Sequence, residues 1–292
     1  MKSKTRPDIF HIINYLLLII VSLIFIIPIY TIVVSSLVGE AELARRGSFI
    51  LYPQQLNWSA YKMLLNKNSL IYSGYANTLF VVSAGTACSL ITSVMMAYGL
   101  SKKDMPLRNG IVFLVLVTMV FSAGMIPSFL LNKSIGLINS RWVIILPNLV
   151  SAWNMFILKN FFSALPEEIE EAAVMDGASP MKILFKIILP LSLPSIMTIG
   201  LFYAVGYWNA WFNAAIYIND IKKLPIQNIM RNIVINNDVK NVNTEFISPT
   251  DKPTSEALKS AVIVVSTAPI LVIYPFIQKY FTKGVMVGSI KG

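Results

Sequence analysis

No charged residue occurs between Asn68 and Ser101, and none between Ile12 and Gly39. A soluble fold rarely tolerates one such apolar run, because a helix hydrophobic on all sides has no surface to show water. About 20 apolar residues span a bilayer as helix. Two runs of this length therefore commit the chain to membrane crossings. The rest of the composition agrees: of 292 residues 55% are hydrophobic and only 13% charged, with a mean hydropathy of +0.66. Soluble domains carry about 25% charged residues.

The expected class is all-α, a polytopic membrane protein with six transmembrane helices over a single domain, residues 1–292. The spans are Ile12–Ser36, Tyr75–Leu100, Gly110–Leu131, Trp142–Phe162, Ser195–Ile218 and Ala257–Phe281. Lys2, Lys4 and Arg6 precede the first run as in a signal peptide, but that run is too long for one and has no small-residue cleavage site. Gly124 and Pro127 are expected kink points in the third span. Lys159 near the end of the fourth can extend its ammonium to the headgroups.

Six spans put both termini on one side. Lys and Arg divide evenly between the sides, so the bulk count does not orient the chain. Short segments beside the spans weigh most. Lys2, Lys4, Arg6, the turn with Lys102, Lys103 and Arg108, and the lysines Lys279, Lys283 and Lys291 together predict cytoplasmic termini. Residues 37–70, with an amphipathic piece near Trp58–Leu65, and residues 219–254 become external loops. A net charge of +10 then belongs to membrane edges and the lipid bilayer rather than to nucleic acid. Cys88 excludes an intrachain disulfide, and the single His11 leaves no metal-ligand cluster. No G-x-x-x-x-G-K-[ST] loop is present, so the chain has no phosphate cradle of its own. No buried Ser/His/Asp set suggests an intramembrane enzyme.

One stretch breaks the apolar pattern. Residues 163–195 set four glutamates, an Asp-Gly pair and Ser179-Pro180 between two spans. Pro166 suits the start of a helix, and Glu167, Glu168, Glu170 and Glu171 lie where the helix dipole favours carboxylates. Glu167, Glu170, Glu171 and Val174 fall at spacings that share one face. Asp176-Gly177 is a helix terminus with a left-handed cap. Ser179 and Pro180 read as N-cap and first residue of a second helix through Lys182 and Lys186, which Pro190 and Pro194 end or bend. Anionic headgroups would repel these glutamates, so the helix-elbow-helix is expected to dock on a protein.

The same residues carry a resemblance. Glu171–Ala173, then Asp176-Gly177-Ala178, then Ile188 and Leu189-Pro190 resemble the EAA loop of bacterial ABC-importer permeases. The six-span layout is similar to the carbohydrate-uptake branch and the shorter maltose-type permease. The segments GLFYAVGYWNAWFN (Gly200–Asn213) and YPFIQKYFTKGVMVGSIKG (Tyr274–Gly292) resemble the lipoprotein-associated oligosaccharide permeases, whose cargoes include pectin and alginate fragments. The resemblance implies a multi-pass subunit of the bacterial cytoplasmic membrane that pairs with a second, homologous permease. It also implies two ATPase subunits, which bind ATP and Mg in place of this chain, and an external solute-binding protein. Carried over, Glu171, Ala172, Ala173, Asp176 and Gly177 form the ATPase-docking contact, and the C-terminal tail reaches toward the ATPases.

Substrate is expected along the fifth span. Tyr207, Trp208, Asn209, Trp211 and Asn213 place aromatic and amide groups mid-membrane, with Asn209 and Asn213 one helical turn apart. Aromatic faces and amides suit sugars, and the same groups suit packing between helices; the sequence leaves both open. Asn148 and Asn154 in the fourth span read alike. Lys222, Lys223 and Arg231 on the external face fit acidic cargo. An ABC permease for a non-sugar solute and an ATP-independent transporter are the alternatives.

Overall fold

The computed structural model describes residues 9–47, 50–66, 69–236 and 254–289. Lys2, Lys4, Arg6, Lys291 and loop residues 237–253 lie outside them, and of Lys279 and Lys283 only the helical backbone is described. All regular structure among the described residues is helical. Packing divides the chain into two compact units, Met1–Ser69 with Met230–Ala268 and Leu70–Ile229 with Pro269–Gly292.

The first unit opens with α1, Ile9–Ser35, a 27-residue helix whose one buried residue is Val34. Its exposed Ile, Leu and Phe side chains on every side fit surroundings as apolar as themselves. Beyond it come α2 (Glu40–Arg46) and α3 (Ser59–Leu64). The sequence predicts α3 but not α2, which is a polar helix of two turns. What steadies α2 is Glu42, whose carboxylate accepts two bonds from the Gln54 amide (2.9 and 3.1 Å) and pairs with Arg46 at 2.6 Å. The Gln54 amide above all, then Arg46, holds this carboxyl below its ordinary pKa. Tyr30 donates to the Leu51 carbonyl, and Ser36 bonds Tyr61 at 2.6 Å, so the turns fold back on the end of α1.

The second unit is built on α4, Leu70–Ser101, 32 residues without a break. Next come α5 (Arg108–Val120), α6 (Met125–Ser134), α7 (Trp142–Ile145) with a 3₁₀ turn Leu146–Asn148, and α8 (Ala152–Ser163). The acidic stretch folds as α9 (Glu167–Met175), α10 (Pro180–Ile183), a π turn Leu184–Ile188 and α11 (Leu189–Leu191). After these follow α12 (Leu193–Trp208) and α13 (Phe212–Tyr217). The residues of α14 (Ile226–Asn236) and α15 (Ser255–Ser289) divide between the two units, at Ile229 and Ala268. α4 lies between α12 and α8. Close approach needs small residues at the crossings: a Cβ on Gly85 would sit 2.8 Å from the Tyr207 ring, and one on Gly200 3.0 Å from Leu90.

Among the described residues, three helices are long and apolar enough to cross a membrane alone: α1, α4 and the Ser255–Ile273 part of α15. Of the other three expected spans, the third is a bent pair with its kink at Gly124 as expected, while the fourth and fifth are bent or broken where continuous helices were expected. The pair α5–α6 turns by 117° at Gly124, whose φ of +82° only glycine adopts at little cost. The fourth span bends by 49° after Pro147. Residues from α10 to α12 bend by 85° at Ser192. The π turn just before Pro190 relieves the clash that its ring would make with the carbonyl of Lys186. Span five was expected as Ser195–Ile218, but α12 ends at Trp208 and the chain breaks at residues 209–211 before α13.

Residues 219–254 are not all loop either. Ile226, Ile229 and Ile233 of α14 are buried at i, i+3 and i+7. The start of α14 is pinned to α4: Thr78 accepts the Ile226 amide at 2.9 Å, and Asn77 donates to the carbonyls of Lys222 (2.7 Å) and Leu224 (3.2 Å).

Candidate functional site

The break in the fourth span creates the first functional feature. Leu149, Val150 and Ser151 leave the helix between Asn148 and Ala152, and apolar surroundings offer their backbone no water. Such breaks persist in membranes only where protein groups or a cavity satisfy the freed atoms. Two tyrosines of α12 do so. The Ser151 amide donates to the Tyr203 hydroxyl at 2.9 Å, and Tyr207 donates toward the carbonyls of Asn148 (3.3 Å) and Ile145 (3.4 Å). Each hydroxyl is also held from α4, Tyr203 by Ser93 at 2.7 Å and Tyr207 by Ser89 at 2.8 Å. Ser151 in turn caps α8 by accepting from the Asn154 amide.

Against this knot lies a cavity of about 560 Å³, within the roughly 300–1,000 Å³ range of small-molecule sites. Its polar lining is neutral: Asn148, Asn154, Asn209, Asn213 and Ser151, with Tyr203 and Tyr207 behind them. Phe202, Trp211 and Phe212 add aromatic surface, and among the described residues no charged side chain lines it. Amides, hydroxyls and aromatic faces can bind a neutral polyhydroxyl molecule. They include no acid, base or nucleophile arrangement that would act on one. Among the described residues, no group of three or more His, Cys, Asp or Glu converges as a metal site.

Of the five residues expected along the path, Tyr207, Asn209, Trp211 and Asn213 line this cavity. Trp208 does not; it is buried, its indole N–H without a partner among the described residues. Asn209 and Asn213 do not share a helical face, because Asn209 caps α12 and Asn213 belongs to α13. The break between them turns both toward the cavity. Asn228 supports that break by donating to the Trp211 carbonyl at 2.9 Å. Ser151, Phe202 and Tyr203 were missed. Tyr203 lies one helical turn before Tyr207, which was the available signal.

The acidic stretch forms the second feature. Helix α9 carries Glu167, Glu168 and Glu170 in its first turn. It ends as the Asp-Gly pair predicts: Asp176 is the C-cap and Gly177 has φ +71°. The Gly177 amide bonds the Val174 carbonyl at 2.9 Å and the Ala178 amide the Ala173 carbonyl at 3.0 Å. That pair of bonds is the Schellman closure. Ser179 then caps α10 through the Lys182 amide, with Pro180 in first position.

Of the four glutamates, Glu167 and Glu170 are paired with lysines, and Glu168 and Glu171 are exposed. Glu170 pairs with Lys102 and Glu167 with Lys103 at 2.5 Å, both lysines from the basic turn after α4. The Lys103 hydrogen bond holds the Glu167 carboxyl below its ordinary pKa. Glu171, Ala172, Asp176 and Gly177 are exposed, with Val174 and Met175 beside them. Ala173 alone of the expected docking residues is buried, under the helix.

Comparison with known proteins places this geometry in context. Residues 8–287 match the family model described as binding-protein-dependent transport system inner membrane component. The polygalacturonan/rhamnogalacturonan transport system permease protein YtcP of Bacillus subtilis (strain 168) is 43% identical over 287 residues, covering 98% of this chain and 100% of that one. The arabinooligosaccharides transport system permease protein AraQ of the same organism is 28% identical, with both chains covered completely. Among solved structures, a chain from a bacterial ABC transporter involved in the import of the acidic polysaccharide alginate superposes with a TM-score of 0.86. It is 35% identical, covering 96% of this chain and 100% of that one.

Proposed function

Because the chain belongs to the family of binding-protein-dependent transport system inner membrane components, a transport subunit and not an enzyme, we propose that it forms half of the translocation path of an ATP-driven oligosaccharide importer. The observation that carries this reading is the likeness, over 98% of the chain, to the polygalacturonan/rhamnogalacturonan permease, joined to a cavity of amides, tyrosines and aromatic faces. Two of the three named relatives, the polygalacturonan/rhamnogalacturonan permease and the alginate importer, favour an acidic carbohydrate as cargo.

In this reading the whole chain acts as one transmembrane domain, with three continuous and three bent spans making six crossings and cytoplasmic termini. A second permease completes the path, an external binding protein delivers the cargo, and two ATPase subunits bind ATP and Mg. Glu171, Ala172, Asp176 and Gly177 present the docking surface on α9, and Ala173 supports that helix from beneath. The elbow's exposed Val174 and Met175 give the ATPase an apolar patch beside the carboxylates. Tyr207, Asn209, Trp211 and Asn213, joined by Asn148 and Asn154, meet the sugar hydroxyls. Since this lining is uncharged, the carboxylates of an acidic cargo are met elsewhere, by Lys222 and Lys223 near the start of α14 or by the partner permease.

Uptake of labelled oligogalacturonides against labelled amino acids, in a strain lacking this gene and complemented with it, tests the reading. Oligosaccharide uptake is expected to return with the gene. Asn154→Ala and Asn213→Ala are each expected to lower it about 2- to 10-fold, the effect of losing one net hydrogen bond. Return of amino-acid uptake instead would overturn the assignment.

A further inference from the structure

We propose that Lys102 and Glu170 are a positioning pair that makes α4 the lever between the coupling segment and the cavity. The proposal rests on the reading that α9 docks on an ATPase. It adds the route by which that subunit's movement reaches the substrate.

The direct route along the chain is jointed. From α9 it passes the Gly177 elbow, the π turn at Leu184–Ile188 and an 85° bend at Ser192 before reaching α12. A π turn and a sharp bend absorb displacement. By contrast α4 runs unbroken for 32 residues, about 48 Å at 1.5 Å per residue.

The C-terminal half of this rod is gripped at two places, Lys102 and the Ser89–Ser93 turn, about 18 Å apart along the helix. Just past its C-terminus, Lys102 pairs with Glu170 while its ammonium sits 4.4 Å over the Tyr98 ring. Tyr98 packs edge-to-face on Phe162 of α8. The Lys102 and Glu170 side chains are 29% and 23% exposed, against 82% and 69% for Lys103 and Glu167. Water weakens the outer pair far more than the inner one. Further along α4, Ser89 and Ser93, one turn apart and fully buried, hold the hydroxyls of Tyr207 and Tyr203. Those rings form the cavity wall. Moving α9 therefore either breaks the Lys102–Glu170 pair or carries α4 with it. Moving α4 either breaks two buried hydrogen bonds or shifts the wall.

The test uses the complete transporter (both permeases, ATPases and binding protein) in liposomes, recording solute imported per ATP hydrolysed. Glu170→Lys and Lys102→Glu are each expected to lower that ratio about tenfold, a usual size for coupling between sites, with the ATPases still bound. The combined swap K102E/E170K is expected to restore it to within about threefold, since it rebuilds the interaction. Glu167→Gln, at the water-exposed pair, is expected to change it less than about twofold. Single variants that import as wild type, or a double swap no better than the singles, would overturn the lever. The docking reading fails separately: it is lost if Glu171→Lys keeps the ATPases bound and import intact, whatever the charge swap does.

Discussion

Gly177→Val is expected to abolish uptake while leaving the subunit in the membrane. At φ +71° a side chain with a Cβ crowds its own carbonyl, at a cost of about 1–2 kcal/mol, and a β-branched one fares worst. The cost is not steric crowding by the fold, since a Cβ here would meet nothing within 4 Å. Relief of the strain instead unwinds the two bonds that close α9 onto Val174 and Ala173. That turn sets the angle at which Glu171, Ala172 and Asp176 face a partner. About 1.4 kcal/mol is already a tenfold loss in a docking equilibrium, and misplacement of the surface adds to it. Gly177→Asn, which tolerates the left-handed conformation, is expected to keep most of the uptake. Uptake by membrane vesicles, normalised to subunit abundance, reads both. Equal uptake by the valine and glycine forms would remove the elbow from the mechanism.

The second large effect is expected at Gly85. A Cβ there would lie 2.8 to 2.9 Å from three atoms of the Tyr207 ring. That ring is not free to swing, because its hydroxyl is held by Ser89 and aimed at the carbonyls of Ile145 and Asn148. Gly85→Leu must therefore separate α4 from α12 or tear out the tyrosine. Overpacking alone costs about 1–3 kcal/mol, and the stranded polar groups cost about 1–3 kcal/mol more. The purified transporter is expected to melt at lower temperature and to import nothing. Gly110→Leu, where a Cβ would meet no atom within 4 Å, is the matched control and is expected to change neither.

The parts of this molecule written in the sequence are those that local physics decides. Charge-free runs announce the long apolar helices α1, α4 and α15, but a run of the same kind at residues 187–219 folds as broken helices. The elbow is legible from Asp176-Gly177 and Ser179-Pro180, whose caps need only neighbouring atoms. Helix α14 is hard to read in the sequence since its three buried isoleucines sit among Gln, Asn and Arg in a segment that averages as polar. The break at residues 209–211 is invisible to hydropathy, which sees Ser195–Ile218 as one apolar run. It persists because Asn228, distant in sequence, satisfies the Trp211 carbonyl. The pairing of Glu170 with Lys102 joins residues 68 positions apart, and only the packing of α4 beside α8 and α12 brings the basic turn to α9. For the same reason Ser89 and Ser93 read as small residues of a membrane helix, with nothing to mark them as partners of the cavity tyrosines.

The account turns on whether this chain moves oligosaccharide only as part of an ATP-driven assembly. Accumulation of labelled oligogalacturonide in proteoliposomes, measured with the complete transporter and with each component withheld, decides it. The expected result is concentrative uptake that needs ATP, the ATPase subunits, the second permease and the binding protein together. Uptake by this chain in liposomes without the ATPases, or no oligosaccharide uptake by the complete assembly, would contradict it.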